Sequence, residues 1–142
     1  MLDKNHKPIS KDRRACVSFS ENGMNYRGVN ERKLLISMYK IDGGIISDNN
    51  KRCDNAFEVK ELNSIYFIEL KGEDIKKAAT QIENTITILS NHLSGMSVYG
   101  RIVCSRAPRP DLRSSQIISL ERVLMKMGGN LIKSCKTCEE KI

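Results

Sequence analysis

Residues 64–70, SIYFIEL, are the most hydrophobic stretch of the chain, and they run straight into Lys71 and Gly72. A run this short and this rich in strand-forming side chains reads as a buried central strand. Side chains alternate across a strand, so Ile65, Phe67, Glu69 and Lys71 share one face while Tyr66, Ile68 and Leu70 share the other. A carboxylate and an amine therefore end an otherwise apolar face. Ionised groups in such a place cost on the order of several kcal/mol unless they pair or bind a metal.

A central strand needs neighbours, and the flanking sequence supplies them. Residues 33–41, KLLISMYKI, are rich in strand formers, and Asp42-Gly43-Gly44 follows with the backbone freedom a tight reversal needs. Ile45 and Ile46 then read as the start of a short strand, SDNNK as a turn, and residues 52–59, RCDNAFEV, as another extended segment. Beyond Gly72, Glu73 and Asp74 form the acidic start of a helix whose apolar stripe is Ile75, Ala79, Ile82, Ile86, Leu89 and Leu93. Residues 98–104 read as extended. The segment APRP leads into a second amphipathic helix marked by Ile117, Leu120, Leu124 and Met127, stopped by Gly128-Gly129, with a last strand near 131–134. No repeat or low-complexity segment interrupts this order. The expected class is α/β in the broad sense, an α+β mixed central sheet flanked by helices. At 142 residues the chain has room for one core. That domain is expected over 15–142, behind a mobile basic arm over 1–14.

Charge and cysteine usage narrow the function classes. The formal charge is +7, from 24 Lys and Arg against 17 Asp and Glu, which favours polyanions over acidic protein partners. Tryptophan is absent and aromatics are only 5%, so recognition by stacking on single-stranded bases or sugars is disfavoured and contacts to phosphates are expected. Five cysteines and a polar, leaderless start predict a reducing, cytoplasmic setting. Cys135 and Cys138 have C-x-x-C spacing but no second pair, and His6 and His92 are remote in sequence, so they read as a tail feature rather than a zinc site. No apolar run is long enough to span a bilayer, so no membrane partner is expected.

Asp54 lies fifteen positions before Glu69. If the two segments pair as antiparallel neighbours through the KELNS turn, both carboxylates reach one end of the sheet. Held that close they repel, and a divalent cation that takes both as ligands removes the penalty. Mg²⁺ or Mn²⁺ fits an oxygen-only donor set, whereas zinc would call for His or Cys. Lys71, two positions on and on the same face, can orient a water or neutralise charge growing on a phosphate.

The stretch RCDNAFEVKELNSIYFIELKG resembles the core of the PD-(D/E)xK phosphodiesterases, shared by restriction enzymes, Holliday-junction resolvases and lambda-type exonucleases. Asp54 matches the first acid and Glu69-Leu70-Lys71 the E-x-K. The resemblance implies a restriction-endonuclease-like core and a Mg²⁺- or Mn²⁺-dependent nuclease acting on DNA more than RNA, in restriction, repair or defence against phage. It further implies the Leu70 main-chain carbonyl as a metal ligand, and Gln81, ten positions after Lys71, as the glutamine of the next helix. Cys53 stands where the family has proline, and the upstream helical glutamate has no match, Glu31 being a poor candidate. Arg106, Arg109 and Arg113 follow the strand VYGRIVCS and are candidate phosphate contacts. Targeting by so small a chain calls for a homodimer or a partner protein. The rival readings are a catalytically silent nucleic-acid-binding subunit on the same fold and a protein-interaction module.

Overall fold

The computed structural model describes residues 1–45, 53–106 and 114–142. At its centre is β6 (Ser64–Leu70), with every residue buried. It is paired on one edge with antiparallel β5 (Asn55–Val59) and on the other with parallel β7 (Ser97–Cys104). That explains the unbroken apolar run, since a strand covered on both faces has no reason to alternate. β4 (Ile36–Lys40) precedes β5 in an antiparallel meander, and β1 (Ser10–Asp12) pairs antiparallel with β4 at the sheet edge. β8 (Leu131–Cys135) adds to β7 in parallel, giving six strands in the order β1-β4-β5-β6-β7-β8.

The two parallel connections need crossovers, and helices provide them. α1 (Ile75–Ile88) links β6 to β7; its N-cap Asp74 accepts a 2.9 Å bond from the Lys77 N–H, satisfying one of the orphan donors of the first turn. The four-residue α2 (Ser90–Leu93) follows. α3 (Ser115–Lys126), capped by Ser114, links β7 to β8 and buries Ile117, Leu120 and Leu124. These stripes close one core with Ile65, Phe67, Val98 and Ile102. A Cβ at Gly100 of β7 would come within 3.0 Å of Leu124 Cδ1, so the missing side chain is what lets α3 lie this close to the sheet.

The opposite face departs from expectation. Among the described residues no helix covers it; a three-stranded sheet does, made of the hairpin β2 (Cys16–Glu21) and β3 (Met24–Val29) with β9 (Thr137–Lys141) parallel to β3. Between the sheets lies a second core containing Val17, Tyr26, Phe57, Tyr66 and Ile68. Phe57 and Tyr66 stack at 4.6 Å between ring centroids, and Tyr66 and Tyr99 at the same distance. Arg101, 3% exposed, projects into this layer, pairs with Glu140 of β9 at 2.8 Å and lies 5.4 Å from the centroids of both tyrosine rings.

Two further expectations are corrected. Residues 1–14 are packed rather than a free arm. They form a short 3₁₀ turn, Leu2–Lys4, and β1, with Leu2 wholly buried in the helix-side core. Three of their basic groups are paired, Lys11 with Asp3, Arg13 with Glu61 and Arg14 with Asp12. Ile45 belongs to a turn instead of starting a strand, and Ile46 and the SDNNK segment lie outside the described residues. The C-x-x-C pair is split. Cys135 is exposed at the end of β8 opposite its register partner Cys104, whereas Cys138 is buried between the sheets; the chain changes sheet at Lys136 (φ 63°). Among the described residues no helix is long and apolar enough to cross a membrane.

Removing the acid that faces Arg101 would strand a buried guanidinium. Glu140→Ala is expected to lower unfolding stability by about 3 kcal/mol in urea titration, and Glu140→Gln, which keeps an acceptor, by clearly less.

Candidate active site

The ladder between β5 and β6 matches Asn55 with Ile68, and one step further along it places Asp54 opposite Glu69. The Asp54 N–H donates to Glu69 Oε2 at 3.2 Å, and the two carboxyl groups are close enough to hydrogen-bond to one another. The antiparallel register inferred from the KELNS turn is therefore the observed one. Asp54 is half-buried. Its backbone is fixed on the other side by β4's continuation, the Ile41 N–H donating to the Asp54 carbonyl at 2.9 Å.

Glu69 is fully buried on the α1 face of β6. Its Oε1 has no hydrogen-bond partner. Burial, and then the adjacent Asp54 carboxyl, push the Glu69 carboxyl up to about 8, against a smaller opposing pull from the Lys71 ammonium. Lys71 is thus near the acids, half-buried, on the same strand face. Its amide donates to Val103 O of β7 at 2.9 Å. The peptide is planar and trans, so the Leu70 carbonyl points the opposite way, towards the side of β5 and Asp54. The Leu70 side chain meanwhile packs into the core between the sheets.

Gln81 lies on the buried face of α1, 8% exposed, with its amide oxygen also buried and without a partner. Thr85, one turn on, donates to the Gln81 carbonyl at 2.7 Å and accepts the Cys53 N–H at 2.9 Å. Sequence reasoning missed Thr85, because its role depends on the helix meeting residue 53 across 32 positions. Arg106 lies two residues beyond the end of β7, is 80% exposed and pairs with Glu73 at 3.1 Å, so it is not drawn into the acid pair. Arg109 and Arg113 lie outside the described residues.

Among the described residues no set of three or more His, Cys, Asp or Glu is gathered for a metal. What converges is two carboxyls, a main-chain carbonyl directed to the same side and a carboxyl oxygen lacking any donor. Such a set suits a hard divalent ion that keeps several waters, and not a zinc cage. A cavity of about 490 Å³, lined in part by Ser90, Ser94, Ser97 and Lys126, is at the far end of β7 from this cluster. No protein-family model, curated protein or solved structure matches the chain.

The raised Glu69 carboxyl fixes a pH dependence. Folded, the group keeps its proton up to about 8, whereas unfolded it loses it near 4.5. Between those values the folded chain binds more protons, so metal-free stability is greatest below the lower value and falls as pH rises through the upper one, with a slope approaching ~1.4 kcal/mol per pH unit. Chemical denaturation across this range should show the fall in wild type and a nearly flat profile for Glu69→Gln.

Proposed function

We propose that this protein is a divalent-metal-dependent nuclease of the PD-(D/E)xK type that hydrolyses phosphodiester bonds in DNA, with Asp54, Glu69 and Lys71 as its reaction centre. The observation that carries this reading is Glu69: a fully buried carboxyl, one oxygen without a donor, held against a second carboxyl at the end of the central strand. A core tolerates that arrangement only when a proton or a cation offsets it, and a cation is the form that gives the pair a use.

Asp54 and Glu69 would hold Mg²⁺ or Mn²⁺ together with the Leu70 carbonyl. The ion, when bound, supplies polarisation of the scissile phosphate and a more acidic water. Lys71 stands on the solvent side of Glu69 along the strand. From there its ammonium can orient the attacking water and offset charge that grows on the phosphate oxygens. Gln81 presents an unsatisfied amide oxygen from α1, suited to accept from that water. The mixed sheet, with the first acid entering one strand and E-x-K closing its antiparallel neighbour, is compatible with a restriction-endonuclease-like core. The excess of positive charge supports a nucleic-acid substrate, and the resemblance favours DNA over RNA. A second copy or a partner protein would supply targeting.

The test is cleavage of plasmid and linear DNA with Mg²⁺ or Mn²⁺. Wild type should cut, and Asp54→Asn, Glu69→Gln and Lys71→Ala should each lose on the order of 10²-fold or more in rate. Undiminished cutting by Lys71→Ala, or no cutting of any DNA form by wild type, rejects the proposal. DNA binding that survives Asp54→Asn without cleavage by wild type would favour the silent binding subunit.

A further inference from the structure

We propose that Thr85 is the positioning residue that presents Asp54 to Glu69. The inference rests on the metal-site reading above and extends it to a side chain that touches neither ion nor substrate.

Three threonines of α1 donate to the carbonyl four residues earlier: Thr80 to Lys76, Thr87 to Glu83 and Thr85 to Gln81. For Thr80 and Thr87 that bond is exposed and local, the ordinary behaviour of a hydroxyl on a helix. Thr85 differs in two ways. Its side chain is wholly buried, and its oxygen also accepts the Cys53 amide at 2.9 Å, across 32 residues.

The importance of that second bond follows from where β5 begins. The strand starts at Asn55, so Cys53 and Asp54 precede it. Their polar groups are tied down one by one: the Asp54 carbonyl by the Ile41 amide, the Asp54 amide by Glu69 itself, and the Cys53 amide by Thr85. Of these three ties, the one to Thr85 fixes the residue before Asp54 to a rigid helix. The hydroxyl donates in turn to the Gln81 main-chain carbonyl, so its orientation towards the Cys53 amide is fixed by the helix itself. Without the hydroxyl the buried Cys53 N–H has no acceptor, and the cheapest relief is a turn of the peptide that carries Asp54 away from Glu69. Outer groups that orient ligands in this way change metal affinity about 10–100-fold when removed.

The experiment is calorimetric titration of Mn²⁺ into the full chain as wild type, Thr85→Val, Thr85→Ala, Thr85→Ser and, as a control for general destabilisation, Val59→Ala. Val59 is buried between the sheets at the other end of β5. Thr85→Val and Thr85→Ala should bind Mn²⁺ about 10–100-fold more weakly, while Thr85→Ser, which keeps the hydroxyl, stays within about threefold of wild type. Val59→Ala should bind as wild type does although its urea midpoint falls. In metal-free protein, amide exchange at Cys53 and Asp54 should accelerate in Thr85→Val and not in Val59→Ala. Unchanged affinity in Thr85→Val overturns the inference, as does an equal loss in Val59→Ala, or no rescue by serine. If both hydroxyl-free variants fail to fold, Thr85 is a folding requirement and the inference also falls. Wild type that binds no Mn²⁺ removes the nuclease reading and this one together, whereas wild-type binding with an indifferent Thr85 removes this one alone.

Discussion

The structure turns on a carboxyl placed where a core strand should carry none. Glu69 is shut between β6 and α1, beside Asp54, and the sheet accepts it only in a neutral or cation-compensated form. Protonation is one form of compensation, which is why burial holds its proton up to about 8. A divalent ion is the other. In the proposed metal site, proton and cation would compete for the same oxygens, which would link affinity for the ion, acidity of the site and stability of the fold through one pair of side chains.

Another buried acid shows what a purely structural carboxylate looks like in this protein. Glu58 is 2% exposed, yet both of its oxygens are used: Oε2 accepts from the Leu2 amide at 2.7 Å and Oε1 from the Tyr39 hydroxyl at 3.0 Å. It staples the amino-terminal turn to the sheet. The acid of the Arg101–Glu140 pair is likewise fully engaged, bridging β7 of one sheet to β9 of the other. Glu69 alone of these three carboxyls keeps an oxygen without a donor and has a second acid for a neighbour. The two acids that serve packing are satisfied by the chain itself; Glu69 is not, and that difference is what the metal-site proposal rests on.

What the sequence could reveal followed from local pattern. The SIYFIEL run, the capped helix after it and the antiparallel register that brings Asp54 to Glu69 all depend on side chains within about forty residues, and each is visible as periodicity or turn chemistry. The three-stranded sheet was not visible. β2 and β3 are exposed on one face and include Ser18, Ser20, Asn25 and Arg27, so their composition resembles loop, and β9 joins them in parallel from the other end of the chain, across more than a hundred residues. Residues 1–14 look like an arm for a related reason: two or three apolar side chains, chiefly Leu2, carry the packing in an otherwise charged segment. Thr85 belongs to the same class, an ordinary helical threonine until the fold delivers the Cys53 amide to it.

The division of labour between the two faces also limits how a polymer could be held. The chain has four tyrosines and three phenylalanines and no tryptophan. Tyr39 and Phe67 are spent in the helix-side core, while Phe19, Tyr26, Phe57, Tyr66 and Tyr99 fill the space between the sheets, so none stands exposed as a platform for a base. The acid pair, by contrast, lies at the end of the sheet where the parallel strands finish, the buried Glu69 beside the half-buried Asp54 and Lys71. A ligand there meets oxygen donors and an ammonium group rather than rings. Under the proposed function that chemistry would address a metal ion and a phosphodiester and would leave the identity of the bases unread.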